Sequence, residues 1–264
     1  MSKHRKSDKG REKDGRGVGR GINYKPWIKV HEFGSEGLAS RLLGWKVPRI
    51  YQFMSMLERD YFMITQWDDN VIDIREQYPL RPQEDTLLIA NEYGISHPAI
   101  NRTKGKEIVM TSDFVITLRN EKLIYDIART VKPIDNINER VVEKFKIEEV
   151  YWTRRLVDWK LVTEKEINKI MARNLYFLYK HYFFDKHSGL NSESFSYYTA
   201  VFIDKFIKNN YEVKKTTYEM DELMNWGDGM SLSLFKYMLA HKIIKVDMSN
   251  DITQLMEKPN KYWI

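Results

Sequence analysis

The chain has 264 residues, no cysteine and six histidines, and its 43 lysines and arginines outnumber its 37 aspartates and glutamates for a formal net charge of +6. This length holds two modest domains, each with its own core. Without cysteine there is no disulfide framework, redox pair or thiolate zinc site, and the scattered histidines form no H-E-x-x-H pair. Any metal therefore rests on oxygen ligands, which favours magnesium, with manganese as a substitute. No apolar run approaches the roughly 20 residues of a membrane span, and the N-terminus lacks a signal-peptide core. The expectation is a soluble, cytoplasmic protein with no membrane partner.

The excess charge is unevenly placed. Residues 1–20 carry eight basic and three acidic side chains, residues 21–163 carry 21 of each, and residues 164–264 carry 14 and 13. A disordered basic tail over 1–20 thus holds nearly all the net charge, either as a solubilising leader or as a nucleic-acid arm. The remainder is close to neutral, and DNA affinity comes from neutralising phosphates, so the body alone should hold DNA weakly. Recruitment by a partner is the consequence.

In chain order, Ser55 followed three residues later by Glu58 is a capping box opening a helix over 55–67. Residues 71–74 read as a short strand. A Pro-, Gly- and Asn-broken excursion over 79–105 surrounds a short helix near 84–93. A hairpin follows, with strands over 107–118 and 123–132 joined by Arg119-Asn120-Glu121-Lys122. Pairing Leu118 with Leu123 sets Asp113 opposite Ala128, on one sheet face with Thr130 and Lys132. A helix spans 137–154, with Val141, Phe145 and Trp152 along one stripe, and a strand spans 158–162. Thr163 and Glu166 form a second capping box, opening the next helix. The element order is α-β-β-β-α-β, an α/β fold with a mixed sheet flanked by helices.

Within that order, an aspartate inside the apolar run Phe114-Val115-Ile116 has little structural reason to be there. Asp113 is the best carboxylate for holding a hard cation that activates water for phosphodiester hydrolysis. Glu58 is either a cap partner or a second carboxylate presented to the metal. Lys132 is an ordinary edge lysine or an ammonium that orients water and offsets transition-state charge. Glu148 stands where the stripe of the helix over 137–154 expects an apolar residue, as an amphipathic edge or as an accessory site group. Arg75, Glu76 and Gln77 close a strand, either solvated or lining the same cleft.

The segments Tyr24-Lys25-Pro26-Trp27, Val71-Ile72-Asp73-Ile74-Arg75-Glu76-Gln77-Tyr78-Pro79-Leu80, Met110-Thr111-Ser112-Asp113-Phe114, Val131-Lys132-Pro133 and Asn138-Glu139-Arg140 resemble the TnsA endonucleases of heteromeric transposases. These belong to the restriction-endonuclease-like superfamily. The likeness is dense over 21–167. It implies an αβββαβ catalytic core and a magnesium-dependent nuclease that cuts the non-transferred strand at the 5′ ends of a bacterial transposon. It also implies a DDE transposase partner (TnsB-like) cutting the 3′ ends of transposon-end DNA, and an AAA+ ATPase regulator (TnsC-like) engaged by the C-terminal domain. Glu58, Asp113 and Lys132 fall on the catalytic positions, with Glu58 and Asp113 as metal ligands. Thr130 stands where the family usually has glutamine or an acid, and the Val131 carbonyl is the expected ligand in its place.

The second domain, over 164–264, is helical and aromatic-rich. Residues 218–226, the turn Gly227-Asp228-Gly229 and residues 231–241 suggest a helix-turn-helix, with a short strand over 243–247 completing a winged-helix-like, partner-docking domain. Its second helix offers only Lys236 and His241 as basic groups, few for a DNA reader. Two rival functions stand beside the transposon-end nuclease. One is a stand-alone restriction-type nuclease, which would carry its own basic cleft. The other is a catalytically weak or inactive adaptor bridging DNA and protein, suggested by Thr130.

Overall fold

The computed structural model describes residues 6–32, 39–100, 106–257 and Tyr262. The chain divides into two compact units, Met1–Ile167 and Asn168–Ile264. Helix α1 (Asp8–Lys13) and two 3-10 turns (Gly21–Asn23 and Val30–Glu32) precede a small hairpin, β1 (Ser40–Leu43) with β2 (Ile50–Phe53). Next come α2 (Met56–Trp67), β3 (Val71–Pro79), α3 (Gln83–Glu92), β4 (Thr111–Arg119), β5 (Ile124–Val131), α4 (Glu139–Thr153) and β6 (Asp158–Val162). The four strands β3 to β6 lie side by side in chain order, antiparallel except for the parallel β5–β6 pair. This is the α-β-β-β-α-β order expected, with α3 inserted in the excursion between β3 and β4.

Two layers pack on this sheet. Val115 and Ala128 join Ile89 and Ala90 of α3 and Ile147, Val150, Tyr151 and Trp152 of α4. Phe114 meets Tyr61 and Phe53, and Phe53 and Tyr51 close on Phe62 of α2. Full burial of a side chain such as Phe62 stabilises the fold by about 1.5–3 kcal/mol. Helix α2 starts where its capping box places it, because Ser55 Oγ accepts the Glu58 N–H at 3.2 Å.

Three expectations need correction here. The tail is not disordered from Lys6 onward; residues 1–5 lie outside the described residues. Ser7 caps α1, and the buried Arg11 and Arg16 share the buried Glu32, at 3.2 and 2.7 Å. Arg20 reaches Asp126 at 2.9 Å. These arginines find carboxylates far along the chain, which a local charge count cannot register. The β4–β5 register differs too. Arg119 pairs with Ile124 and Leu118 with Tyr125, because the Asn120 carboxamide accepts the Lys122 and Leu123 N–H groups and closes the loop one residue later on each side. Lastly, Thr163 and Glu166 do bond to each other, but they close a turn. The next helix, α5 (Lys169–Leu178), is capped by Asn168, whose Oδ1 accepts the Met171 N–H at 3.0 Å.

In the second unit, α5 is followed by α6 (Phe184–His187), α7 (Ser192–Lys208), α8 (Val213–Met224), α9 (Met230–Ala240) and α10 (Ile252–Leu255). Phe202, Phe206, Phe235 and Tyr262 interlock at its centre. Helices α8 and α9 occupy the helix-turn-helix positions, with the Asp221 carboxylate accepting the Gly229 and Ser231 N–H groups across the turn. The strand expected over 243–247 is reduced, among the described residues, to a single bridge position at Lys245. Neither basic group counted on the second helix is free to face a phosphate. The Lys236 ammonium lies 4.5 Å from the centre of Phe177, and His241 stacks between Tyr182 and Tyr237 and bonds the Tyr182 carbonyl.

Candidate active site

The site forms where two ladders loosen. The last β4–β5 pair is Phe114 with Arg129, so Ser112 and Asp113 run on past the paired stretch opposite Thr130 and Val131. With no ladder partner across, the Asp113 carboxylate accepts the Val131 N–H at 2.8 Å. On the other side, Glu76 pairs with Phe114 and Tyr78 with Ser112, while Gln77 between them is left-handed at φ 50. For a residue with a Cβ this costs about 1 kcal/mol and is sustained only where surrounding contacts hold it. Those contacts come from the N-terminal segment. Trp27 N–H donates to the Gln77 carbonyl at 3.1 Å, and Tyr24 Oη donates to the Glu76 carbonyl at 3.0 Å. Gly17, at φ 73, lies so close to Pro79 that a Cβ there would sit 2.2 Å from the proline ring.

Glu58 and Asp113 come together on the Gln77 side chain. Its Nε2 donates to Asp113 Oδ1 at 3.2 Å and, at 3.5 Å, to Glu58 Oε2. The cap expected of Glu58 is present. Its Oε1 accepts the Ser55 hydroxyl at 2.9 Å and its Oε2 the Met54 N–H at 3.0 Å, so the cap fixes the same carboxylate that faces Asp113. Burial, then repulsion from Asp113, pushes the Glu58 carboxyl well above the usual range, and burial raises Asp113 as well. The half-buried Lys132 lies near enough to draw both back down. Lys132 is held by its backbone N–H, which donates to the Val162 carbonyl at 2.9 Å.

Thr130 does not share the face of Asp113 as strict alternation would have it. Its hydroxyl donates to Glu148, as does that of Ser112. Two indoles decide this direction. Trp152 Nε1 donates to Ser112 Oγ at 2.7 Å and Trp159 Nε1 to Thr130 Oγ1 at 3.3 Å, so each hydroxyl must send its own hydrogen onward. Glu148 is buried on the sheet at 3% exposure and is not an amphipathic edge. Burial pushes its carboxyl up to about 7, against the pull of the Ser112 and Thr130 hydroxyls.

Of the strand-end trio, Glu76 is bound to Arg49 and Arg75 to Asp126, both within the fold. Gln77 is the site residue that sequence reasoning set aside. Its only local signal is a carboxamide between two polar neighbours and Pro79, which reads equally well as a solvated strand end. Among the described residues no group of three or more His, Asp or Glu converges as a metal centre. What converges is a carboxylate pair with an ammonium nearby.

All of this arrangement except Glu58 lies within residues that match a known family. Residues 68–164 match the TnsA-like endonuclease N-terminal family, and residues 166–248 match the TnsA endonuclease C-terminal family. The chain belongs to the TnsA-type endonucleases. It is 38% identical over 170 residues to the transposon Tn7 transposition protein TnsA of Escherichia coli, an alignment covering 64% of this chain and 60% of that relative. The chain therefore spans about three fifths of the relative's length. The mixed α/β sheet fits the restriction-endonuclease-like fold of TnsA domains. Gln77, Asp113, Thr130, Lys132 and Glu148 all fall inside the N-terminal match, and Glu58 precedes it. No helix among the described residues is long and apolar enough to cross a membrane.

Proposed function

We propose that this chain is a magnesium-dependent DNA endonuclease that nicks the 5′, non-transferred strands at transposon ends, with a DDE transposase cutting the opposite strands. The convergence of Glu58 with Asp113 beside Lys132, the latter two within the match to a TnsA-like endonuclease domain, carries the reading. Magnesium keeps several of its waters and is held through one or two carboxylates, so a buried pair short of positive charge suits it, and manganese can replace it. Glu58 and Asp113 would hold the ion, with the Val131 carbonyl as a further oxygen donor. When bound, the ion supplies Lewis acidity toward the phosphoryl oxygens and an activated water.

The chain's own groups do the rest. The Ser55 cap and the Val131 N–H fix the two carboxylates, so their orientation is set before a substrate arrives. Lys132 offsets charge building on the scissile phosphate. Glu148 turns the Thr130 and Ser112 hydroxyls away from the carboxylate pair. Recruitment by partners fits the charge distribution, since Arg11 and Arg16 are spent inside the fold and the second unit is near neutral. An AAA+ ATPase regulator would then engage that near-neutral second unit.

The test combines the protein with its cognate transposase, magnesium and 5′-end-labelled transposon-end DNA, comparing wild type with Asp113→Ala on a sequencing gel. A partner- and metal-dependent nick on the 5′ strand that disappears in the variant is expected. No wild-type nick, with partner binding and 3′ cleavage intact, would instead mark the chain as an adaptor.

A further inference from the structure

The Gln77 amide stands where a cation between Glu58 and Asp113 would stand. Its side chain is buried, its backbone is fixed in the left-handed region by the Trp27 N–H, and two carboxylate oxygens face its Nε2. The donor end must face them, because the carbonyl end would be repelled. At the far end, Gln77 Oε1 accepts a long bond, 3.5 Å, from the Thr111 hydroxyl. A hydroxyl accepts as readily as it donates, so Thr111 satisfies either end of the amide. An amide has only these two useful orientations about its terminal torsion, and both are provided for.

Resting on the metal-dependent reading above, we infer that Gln77 is a two-position positioning residue: its Nε2 bridges Glu58 and Asp113 in the metal-free protein, and its Oε1 turns toward the cation when one is bound. The turn exchanges two hydrogen bonds to carboxylates for one oxygen donated to the ion, and Thr111 reverses from donor to acceptor. It adds an oxygen to a site that has two carboxylates and no side-chain ligand from Thr130. No bond is made or broken in the chain, and no proton is transferred.

The test uses the full chain and manganese alone, read by calorimetric titration and by thermal unfolding in chelator. Gln77→Met keeps the shape and removes both polar ends. Its expected result is a lower midpoint in chelator together with manganese affinity weakened about tenfold, the loss of one ligand. Thr111→Val keeps a strand-compatible side chain and removes the hydroxyl that serves both orientations, so manganese affinity falls a few-fold while the fold remains. Gln77→Glu removes the donor and adds a charge, giving the lowest midpoint in chelator and tighter manganese binding. Gln77→Met binding manganese as tightly as wild type, or more tightly, would overturn the inference while leaving the metal reading intact, since the amide would then only compete for the site. Should Gln77→Met fail to fold, unchanged manganese affinity in Thr111→Val would overturn it equally. Wild type that binds no manganese would overturn both, and is recognised before any variant is made.

Discussion

Two buried acidic centres in the first unit are treated in opposite ways. Glu32 meets two guanidinium groups, Arg11 and Arg16, and although burial pushes its carboxyl up, their attraction outweighs this and holds it below the usual range. Glu58 and Asp113 meet only neutral donors apart from the nearby Lys132, and burial leaves both raised. Glu32 is a closed structural centre, with its charge answered within the chain. The carboxylate pair is left open, and that deficit is what a divalent cation can fill.

The sharpest way to break the contrast is Asp113→Ala. Removing half of the open pair should cut 5′-strand nicking by about 10³-fold in a gel assay, while circular dichroism and the unfolding midpoint in chelator stay at or above wild type. Glu32→Gln does the reverse. It removes the buried carboxylate that two buried arginines share, leaving Arg11 only Asp8 and Arg16 only the more exposed Asp14, and should cost about 3 kcal/mol of stability by urea unfolding. If that variant were as stable as wild type, the Glu32 centre would contribute nothing to the fold.

Acidity separates the two centres next. The folded pKa values of Glu58 and Asp113 are raised, and that of Glu148 reaches about 7, so the folded state holds protons that the unfolded chain has already released. Their stabilisation is complete in acid below the unfolded values and is lost as pH rises through the folded ones. In chelator the midpoint should therefore fall from about pH 5.5 to about pH 8, and magnesium should restore it at the higher pH. Glu32, with its lowered pKa, runs the other way, its contribution present above the unfolded value and lost on acidification. A midpoint in chelator that rises with pH over this range would show that the pair is not left short of charge. The smallest effect belongs to Glu58→Gln, which removes one of the two charges and keeps most of the cap. At pH 8 in chelator it should gain about 1 kcal/mol by the same unfolding measurement, with nicking lost.

This contrast also marks what could be read from the sequence. Helix α2 and its cap were legible because Ser55 and Glu58 act over three residues, whereas the face expected to join Asp113 with Thr130 was not, because the ladder ends at Phe114 and Arg129 and the Thr130 hydroxyl turns to Glu148 with that of Ser112. Strand β3 was legible at its start, over 71–74, but not in its run to Pro79, with Asp73, Arg75, Glu76 and Gln77 all buried. Their burial depends on Arg49, Asp126, Gly21 and Asp113, partners far away in sequence, so a run of polar residues looked like a solvated end. The same distance hid the order of residues 6–20. Glu148 was noticed as an apolar position filled by an acid, but its role required Trp152 and Trp159 to dictate which way two hydroxyls point.

The arm that holds the Gln77 strand also bears on how the chain is assembled. Arg20 reaches Asp126 across 106 positions, and Trp27 reaches Gln77 across 50. During synthesis the arm leaves the ribosome well before the strands it clasps exist, and contacts of such long separation are slow to close. Residues made first are thus among the last to be seated, and the left-handed turn at Gln77 is fixed only at that late step. A carboxylate pair held through that arm is not set until the strands the arm clasps have been made.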